Sequence, residues 1–507
     1  MLLACIIVYK LLVWINYQRL LRKFKAKDYL NKPYVGLFGL GFLYRAVKVR
    51  RADRFVDSTY QGFKNLKNPH VPTFYMNVLG KDVIATCDPD NIKTLLATQF
   101  NDYGIGSRHA ILYPLLGNGI FTSSGDHWKH SRAMLRPQFA REQIGHVQML
   151  EPHFQALKKH ILKSNGGKFN LQALFYLFTI DAATEFLFGE LIHSLHDESI
   201  GMPLNEQSNH GKKAFAGAFG ISQQYISTRA LLQDNCWLVN PKKFRDANKV
   251  MHDFADTYVQ QALNYSPEEI EKGSKNGYVF LYELVKKTRD PILIRDQLFN
   301  ILLAGRNTTA SFLSFTFFEL ARNPQVFEKL KSEIRTNFGH GDDARIDDIT
   351  FESLKKCEYL KAVLNESLRI YPTVPVNMRV PVRDTTLPKG GGPDGQSPIL
   401  VRKGTTVTFS VYCLHRNKQI YGEDSEVFRP ERWFEPHMKG LGWSYAPFGG
   451  GPRICIGQQF ALTEASYVTC RLMQEFDHLE SFDTEYPPTK GSQVTIKLTK
   501  GCNVAMY

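Results

Sequence analysis

The chain has 507 residues, 43% of them hydrophobic and 22% charged, with a net charge of +14 at pH 7. That apolar content supports a sizeable core and excludes a disordered polyelectrolyte. Its eight cysteines (5, 87, 236, 357, 413, 455, 470 and 502) show no Cys-x-x-Cys and no paired spacing, which argues against a disulfide scaffold or zinc ribbon and for a reducing compartment.

Leu2 to Tyr17 is largely apolar, broken by Lys10, and leads into Arg19, Arg22, Lys23, Lys25 and Lys27. As a helix these sixteen residues reach about 24 Å, short of a ~30 Å hydrocarbon core. Lys10 near the centre adds about 2.5–3.5 kcal/mol. Residues 1–20 therefore read as a marginal membrane anchor or an interfacial helix, with a plain buried helix as the alternative. No small-residue cleavage site comes after them, which argues against a removed signal peptide. The basic cluster places the downstream chain on the cytoplasmic side. No nucleic-acid motif accompanies the positive charge, so membrane and an acidic partner protein fit it better. Residues 21–55 form a basic connector. No Ser/Pro/Gly linker divides residues 60–500, and residues 56–507 read as one large domain.

Thr73 to Cys87 alternates apolar and polar residues around Leu79-Gly80-Lys81-Asp82, a hairpin pattern. Trp128 and Arg132 lie one helical turn apart and can face one ligand; an exposed Arg beside a core Trp is the plainer reading. Helical periodicity runs over roughly 139–163, 170–188, 244–264, 291–322, 324–337 and 352–370. Strand patterns return after Tyr371 and near the C-terminus. The fold class is mainly α with a small β-rich lobe.

Asp296 to Arg322 is strongly apolar but interrupted by Ala304-Gly305-Arg306-Asn307-Thr308-Thr309. Small residues there let a flat ligand lie against a helix, and the Thr308 hydroxyl can compete for the preceding turn's carbonyl. A core helix with a tolerated glycine is the plain alternative. Glu366 and Arg369 sit at i and i+3, where opposite charges pair. Tyr371-Pro372 ends that helix. Arg379 lies in a strand just beyond. Lys389-Gly390-Gly391-Gly392-Pro393-Asp394-Gly395 lacks the Gly-Lys-Ser/Thr ending of a phosphate loop and has the chemistry of a hairpin turn. Phe428-Arg429-Pro430-Glu431-Arg432-Trp433 supplies a further arginine.

Phe448-Gly449-Gly450-Gly451-Pro452-Arg453-Ile454-Cys455-Ile456-Gly457 sets one cysteine in a glycine-rich loop, two residues after an arginine. A helical run from Gln458 to Phe476 comes next. A thiolate at a helix N-terminus with a cation nearby is stabilised as the anion and can ligate a metal. The glycines let backbone approach something large and flat. A buried cysteine in a turn is the plainer reading.

The pattern Phe-x-x-Gly-x-Arg-x-Cys-x-Gly resembles the haem signature of the cytochromes P450. The resemblance implies that fold, with haem between a long central helix and the Cys455 loop. It makes Cys455 the metal ligand, with Phe448, Gly451, Arg453 and Gly457 around the cofactor. Trp128, Arg132, Arg379 and Arg453 match propionate-binding positions. Ala304, Gly305, Asn307 and Thr308 match the oxygen-activating segment, where the family has an acid at the position of Asn307. An amide cannot relay a proton as a carboxylate can, so the expectation is that Thr308 works with solvent. Glu366, Arg369 and Arg432 match the triad that supports the cysteine loop. The haem is expected to be haem b, held non-covalently, since relatives that ester-link it carry Glu at the position of Ala304.

The chain has no flavin or dinucleotide fingerprint, so electrons come from outside. By resemblance the donor is NADPH–cytochrome P450 reductase, with cytochrome b5 as a second partner, at the endoplasmic reticulum membrane. Lys129 to Phe139, Gln458 to Ala465, and Cys413-Leu414-His415-Arg416-Asn417 with Tyr421-Gly422 look like the fungal alkane- and fatty-acid-hydroxylating members. The expected activity is insertion of one oxygen atom into a terminal or near-terminal C–H bond of a long aliphatic chain. The alternatives are a haem–thiolate isomerase or dehydratase that uses no O2, and a non-catalytic haem- or lipid-binding protein.

Overall fold

Leu79 and Gly80 both take positive φ (52° and 79°), the conformation that matches the twist of a tight hairpin. Thr73–Val78 (β1) and Lys81–Thr86 (β2) therefore pair antiparallel, Thr73 opposite Thr86 and Val78 opposite Lys81. The computed structural model describes residues 2–36, 39–140, 145, 147–189, 192–202, 212–275 and 279–507. The chain divides into two units. The first comprises Met1–Gly106, Val374–Glu426 and Gly440–Cys455, and the second Ser107–Thr373, Val427–Lys439 and Ile456–Tyr507.

The first unit is built on a five-stranded sheet. With Tyr103–Gly104 (β3), Val376–Pro381 (β4), Thr385–Gly391 (β5), Ser397–Val401 (β6) and Thr406–Ser410 (β7), its order is β1-β2-β7-β4-β3. Arg379 sits opposite Val407 in the antiparallel β4–β7 pair. β5 and β6 form a separate ribbon, and Gly390 N–H donates to Gly395 O (2.8 Å). The glycine run is thus a hairpin, as its turn chemistry implies. Helix α1 (Leu2–Lys23) ends with Leu21 packed against Ala26 and Leu400. Upstream, Leu11, Leu12, Val13, Trp14 and Ile15 are exposed; a contiguous apolar flank of this kind marks a membrane or partner contact.

The second unit is helical. Its elements include α2 (Arg108–Leu116), α3 (Gly125–Leu135), α4 (Glu151–Lys163), α5 (Leu171–Phe188), α6 (Lys212–Leu232), α7 (Lys242–Asn264), α8 (Pro291–Leu320), α9 (Pro324–Phe338), α10 (Phe351–Lys356), α11 (Glu358–Ile370) and α12 (Gln458–Glu475). The helix expected at 139–163 begins only at Glu151, with Pro152 in its first turn, where proline fits; residues 141–144 and 146 of that range lie outside the described residues. The helix expected at 352–370 is two, parted at Cys357, whose ψ of 94° is not helical. Helix α6 has no counterpart among the expected helices: Gly217 and Gly220 lower its propensity and mask its pattern. Among the described residues, α5 is long and apolar enough to cross a bilayer, but it is mostly buried and serves as a core helix.

Helix α8 has 30 residues, about 45 Å. Asp290 caps it through the N–H groups of Ile292 and Leu293, and Pro291 takes the first position. It is apolar all round and buried nearly all round. Polar side chains in its first half fasten the chain between α2 and α3. Asp296 accepts from Asn118 N–H (2.7 Å), Asn300 bonds both Leu116 O (3.0 Å) and Phe121 N–H (3.0 Å), and Gln297 donates to Ser131 (3.1 Å).

Candidate functional site

Cys455 is the exposed member of the seven described cysteines; the other six are buried. Its loop folds back on itself: Cys455 N–H donates to Phe448 O (3.1 Å), and Ile454 N–H to Gly451 O (3.0 Å). Gly449 and Gly451 take φ of 72° and 65°. At Gly451 a Cβ would lie 1.8 Å from the carbonyl oxygen of Leu96, and at Gly450 it would strike the Trp443 ring at 2.3 Å. The entry to the loop is tied down by the stretch around His415. Ala446 N–H donates to His415 Nε2 (3.0 Å), that ring stacks on Tyr445 at 5.1 Å, and the Tyr421 hydroxyl donates to Ser444 O (2.7 Å). Burial pushes the thiols of Cys87 and Cys470 well up, which leaves them inert as ligands.

In the same unit, Arg379 is buried on β4, where its guanidinium donates to Met378 O (2.7 Å) and Asn377 Oδ1 (3.3 Å) and lies over the Phe409 ring. Arg453 and Phe448 are half-buried.

In the second unit, the burial of α8 between Asp296 and Leu320 is interrupted at Ala304, Gly305, Arg306 and Thr308 and nowhere else. Leaving aside the helix's own nearby backbone, a Cβ on Gly305 would meet no atom of the described residues within 4 Å. The Thr308 hydroxyl donates to the Ala304 carbonyl at 2.6 Å, the competition its position in the sequence implies; the helix nonetheless stays continuous. Asn307 is held elsewhere. It is 7% exposed and donates from Nδ2 to Gln223 Oε1 of α6 at 2.8 Å. On α3, Trp128 is buried and the Arg132 guanidinium lies 5.9 Å from its ring, so the pair does share one face. Gly457 packs beside Phe139, a Cβ there falling 3.6 Å from its ring.

Glu366, Arg369 and Arg432 are each 0% exposed. Arg369 grips the carboxylate with Nε (2.9 Å) and Nη2 (2.8 Å), and Arg432 Nε adds a bond at 2.8 Å. Trp433 Nε1 (3.1 Å) and Arg429 N–H (2.9 Å) donate to it as well. Both guanidiniums also reach Val427 O at 3.2 Å. The sequence anticipates the three ionic members but not Trp433 or the Arg429 amide. Gln223, Arg306 and His415 carry no site role in the sequence reading, although the residues around His415 form a motif.

Within the first unit the donor set fits a thiolate-ligated macrocycle: one exposed thiol on a glycine-walled loop, with the buried Arg379 suited to a carboxylate. These features and the helix-rich fold define a haem–thiolate protein. The cytochrome P450 family model matches residues 42–504. Cytochrome P450 52A5 of Candida maltosa is 56% identical over 503 residues, covering 99% of this chain and 95% of that protein. Cytochrome P450 52A12 of Debaryomyces hansenii is 57% identical over 497 residues, with 98% and 95% covered. The crystal structure of the cytochrome P450DA heme domain aligns with a TM-score of 0.73 at 22% identity, over 91% of this chain and 94% of that one, a likeness of fold. The chain belongs to the cytochrome P450 family and is a haem–thiolate monooxygenase.

Proposed function

We propose that the protein hydroxylates long-chain alkanes or fatty acids at or near the terminal carbon, with electrons from NADPH delivered by cytochrome P450 reductase and supplemented by cytochrome b5. One oxygen atom of O2 enters the C–H bond; the other leaves as water with two electrons and two protons. The observation that carries the reading is full-length similarity to the 52A proteins at 56–57% identity, in line with the hydroxylase-like wording around His130, His415 and Gln459.

Cys455 supplies the thiolate, and Phe448, Gly451 and Gly457 shape the loop. Trp128, Arg132, Arg379 and Arg453 hold the propionates by charge-assisted bonds. When bound, the haem with its thiolate supplies O–O cleavage and an oxidant able to attack an unactivated C–H bond. Ala304 and Gly305 leave room beside α8, and Thr308 holds a proton at Oγ1. Glu366, Arg369 and Arg432 support this arrangement without touching substrate. Residues 1–20 act as a membrane anchor or interfacial helix, residues 21–55 connect, and residues 56–507 carry catalysis on the cytoplasmic side of the endoplasmic reticulum. The exposed apolar flank of α1 supports that placement.

The test is incubation with reductase, NADPH and a panel of alkanes, fatty acids and aromatic compounds, with products mapped by mass spectrometry. Terminal alcohols from the aliphatic members support the reading. Conversion without NADPH would indicate an isomerase or dehydratase instead.

A further inference from the structure

Successive helical residues turn by about 100°, so Arg306 leaves α8 about 200° round from Thr308. There its guanidinium lies 4.9 Å from the ring of Phe219 on α6 and 5.9 Å from that of Tyr176 on α5. Stacking satisfies the face of the fork but not its N–H edge. Among the described residues, the buried Arg306 Nε has no hydrogen-bond partner and no carboxylate acts on the group, Tyr176 being its electrostatic neighbour. Burial pushes its pKa down to about 10, which still leaves a cation at neutral pH.

One turn along α6 from Phe219, on the same face, stands Gln223, 5% exposed and bonded to Asn307. Gln223 Nε2 and Asn307 Oδ1 are both buried and, among the described residues, have no partner. Exchanging oxygen and nitrogen in both amides preserves their mutual bond and again leaves one donor and one acceptor. The face of α8 turned to α5 and α6 thus presents a cation without an internal anion, a spare amide pair and two aromatic walls.

We propose that Arg306 and Gln223 form a binding site for the carboxylate of an alkanoate. The guanidinium edge matches a carboxylate in shape and charge, and the spare amide N–H adds a donor. The spare amide oxygen accepts a hydrogen bond from a water that also donates to the bound carboxylate. The rings of Tyr176 and Phe219 cover the first methylenes. The site lies on the far side of α8 from Thr308, so an acid held there joins α5, α6 and α8 and is not itself the chain end presented for oxidation. The choice of an alkanoate rests on the aliphatic reading above.

The probes are sodium octanoate and octan-1-ol, titrated calorimetrically into the holoenzyme. Octanoate should bind saturably to the wild type. R306Q and, separately, Q223L should each weaken octanoate by about tenfold or more while octan-1-ol stays within about twofold. R306K, which keeps the charge but loses the fork, should fall between. Variants whose circular dichroism and reduced-CO spectra match the wild type are the ones compared. Unchanged octanoate affinity in both R306Q and Q223L overturns the proposal, as does equal loss of both probes or an absence of octanoate binding in a wild type that oxidises alkanes. Arg306-dependent octanoate binding in a protein that oxidises no aliphatic compound would keep this site and remove the proposed function.

Discussion

The buried cluster around Glu366 offers a test whose size comes from its geometry. In E366Q, the amide nitrogen must replace one carboxylate oxygen. At Oε2 it would face two donors, Arg369 Nε and Trp433 Nε1; at Oε1 it would face three, Arg369 Nη2, Arg432 Nε and Arg429 N–H. The better placement still loses two hydrogen bonds at about 1.5–3 kcal/mol each where a charge is involved. It also removes the carboxylate charge that two guanidiniums at 0% exposure pair with. Breaking a buried pair from one side costs about 3–5 kcal/mol, so the two routes converge on roughly 4 kcal/mol, against a whole-protein stability of about 5–15 kcal/mol. Urea unfolding tracked by far-ultraviolet circular dichroism would measure the loss, with the reduced-CO spectrum reporting the thiolate-ligated haem. The triple change E366L/R369M/R432M should recover much of the loss, because it removes the charges as well as their bonds. A stability of E366Q within about 1 kcal/mol of the wild type would refute the reasoning.

Gly451→Ala and Gly449→Ala should separate strain from collision. Both residues have positive φ, at about 1–2 kcal/mol for a side chain, but only at Gly451 does a Cβ meet Leu96 O at 1.8 Å; G451A should lose most of the reduced-CO signal and G449A little of it. Burial pushes the Glu464 carboxyl from 4.5 up to about 8, and Glu319 up to about 7. The folded chain keeps these protons where the unfolded chain releases them, so their contribution is fully present below about pH 4.5 and is lost as pH rises to about 8. E464Q should therefore flatten the fall in urea midpoint between about pH 4.5 and about pH 8; a fall as steep as that of the wild type counts against it. Asn307→Asp should raise the fraction of NADPH electrons that reach product, since the spare Gln223 Nε2 can turn to donate to the new carboxylate; an unchanged or lower fraction speaks against a proton-relay deficit at this position.

The parts of the fold that were legible in sequence carry their signal locally. Leu79-Gly80 sets its hairpin by turn geometry, α8 by an apolar run with a proline start, and Glu366 with Arg369 by helical spacing. The Cys455 loop is legible because four glycines, an arginine and a cysteine fall within ten residues. What escaped depends on contacts distant along the chain. Gln223 meets Asn307 across 84 residues, on a helix whose own glycines concealed it. The need for glycine at 451 comes from the Leu96 carbonyl, hundreds of residues earlier. Trp433 joins Glu366 through a 3-10 turn, which has no hydrophobic period to read.

Asn307 changes meaning most between the two levels. Along the sequence it is a missing acid, a weakness in proton delivery. In the structure its amide ties α8 to α6 through a neutral bond that does not respond to pH. Neutrality also has a consequence next door: Asn307 supplies no anion to the Arg306 cation, whose Nε has no partner among the described residues. An aspartate at 307 would put a negative charge into the same space and compete with any carboxylate arriving from solution. Asn307→Asp should then weaken octanoate binding even as it improves the use of electrons. Those opposite movements in one variant are what a deficit in proton relay alone, or an effect on packing alone, would not produce.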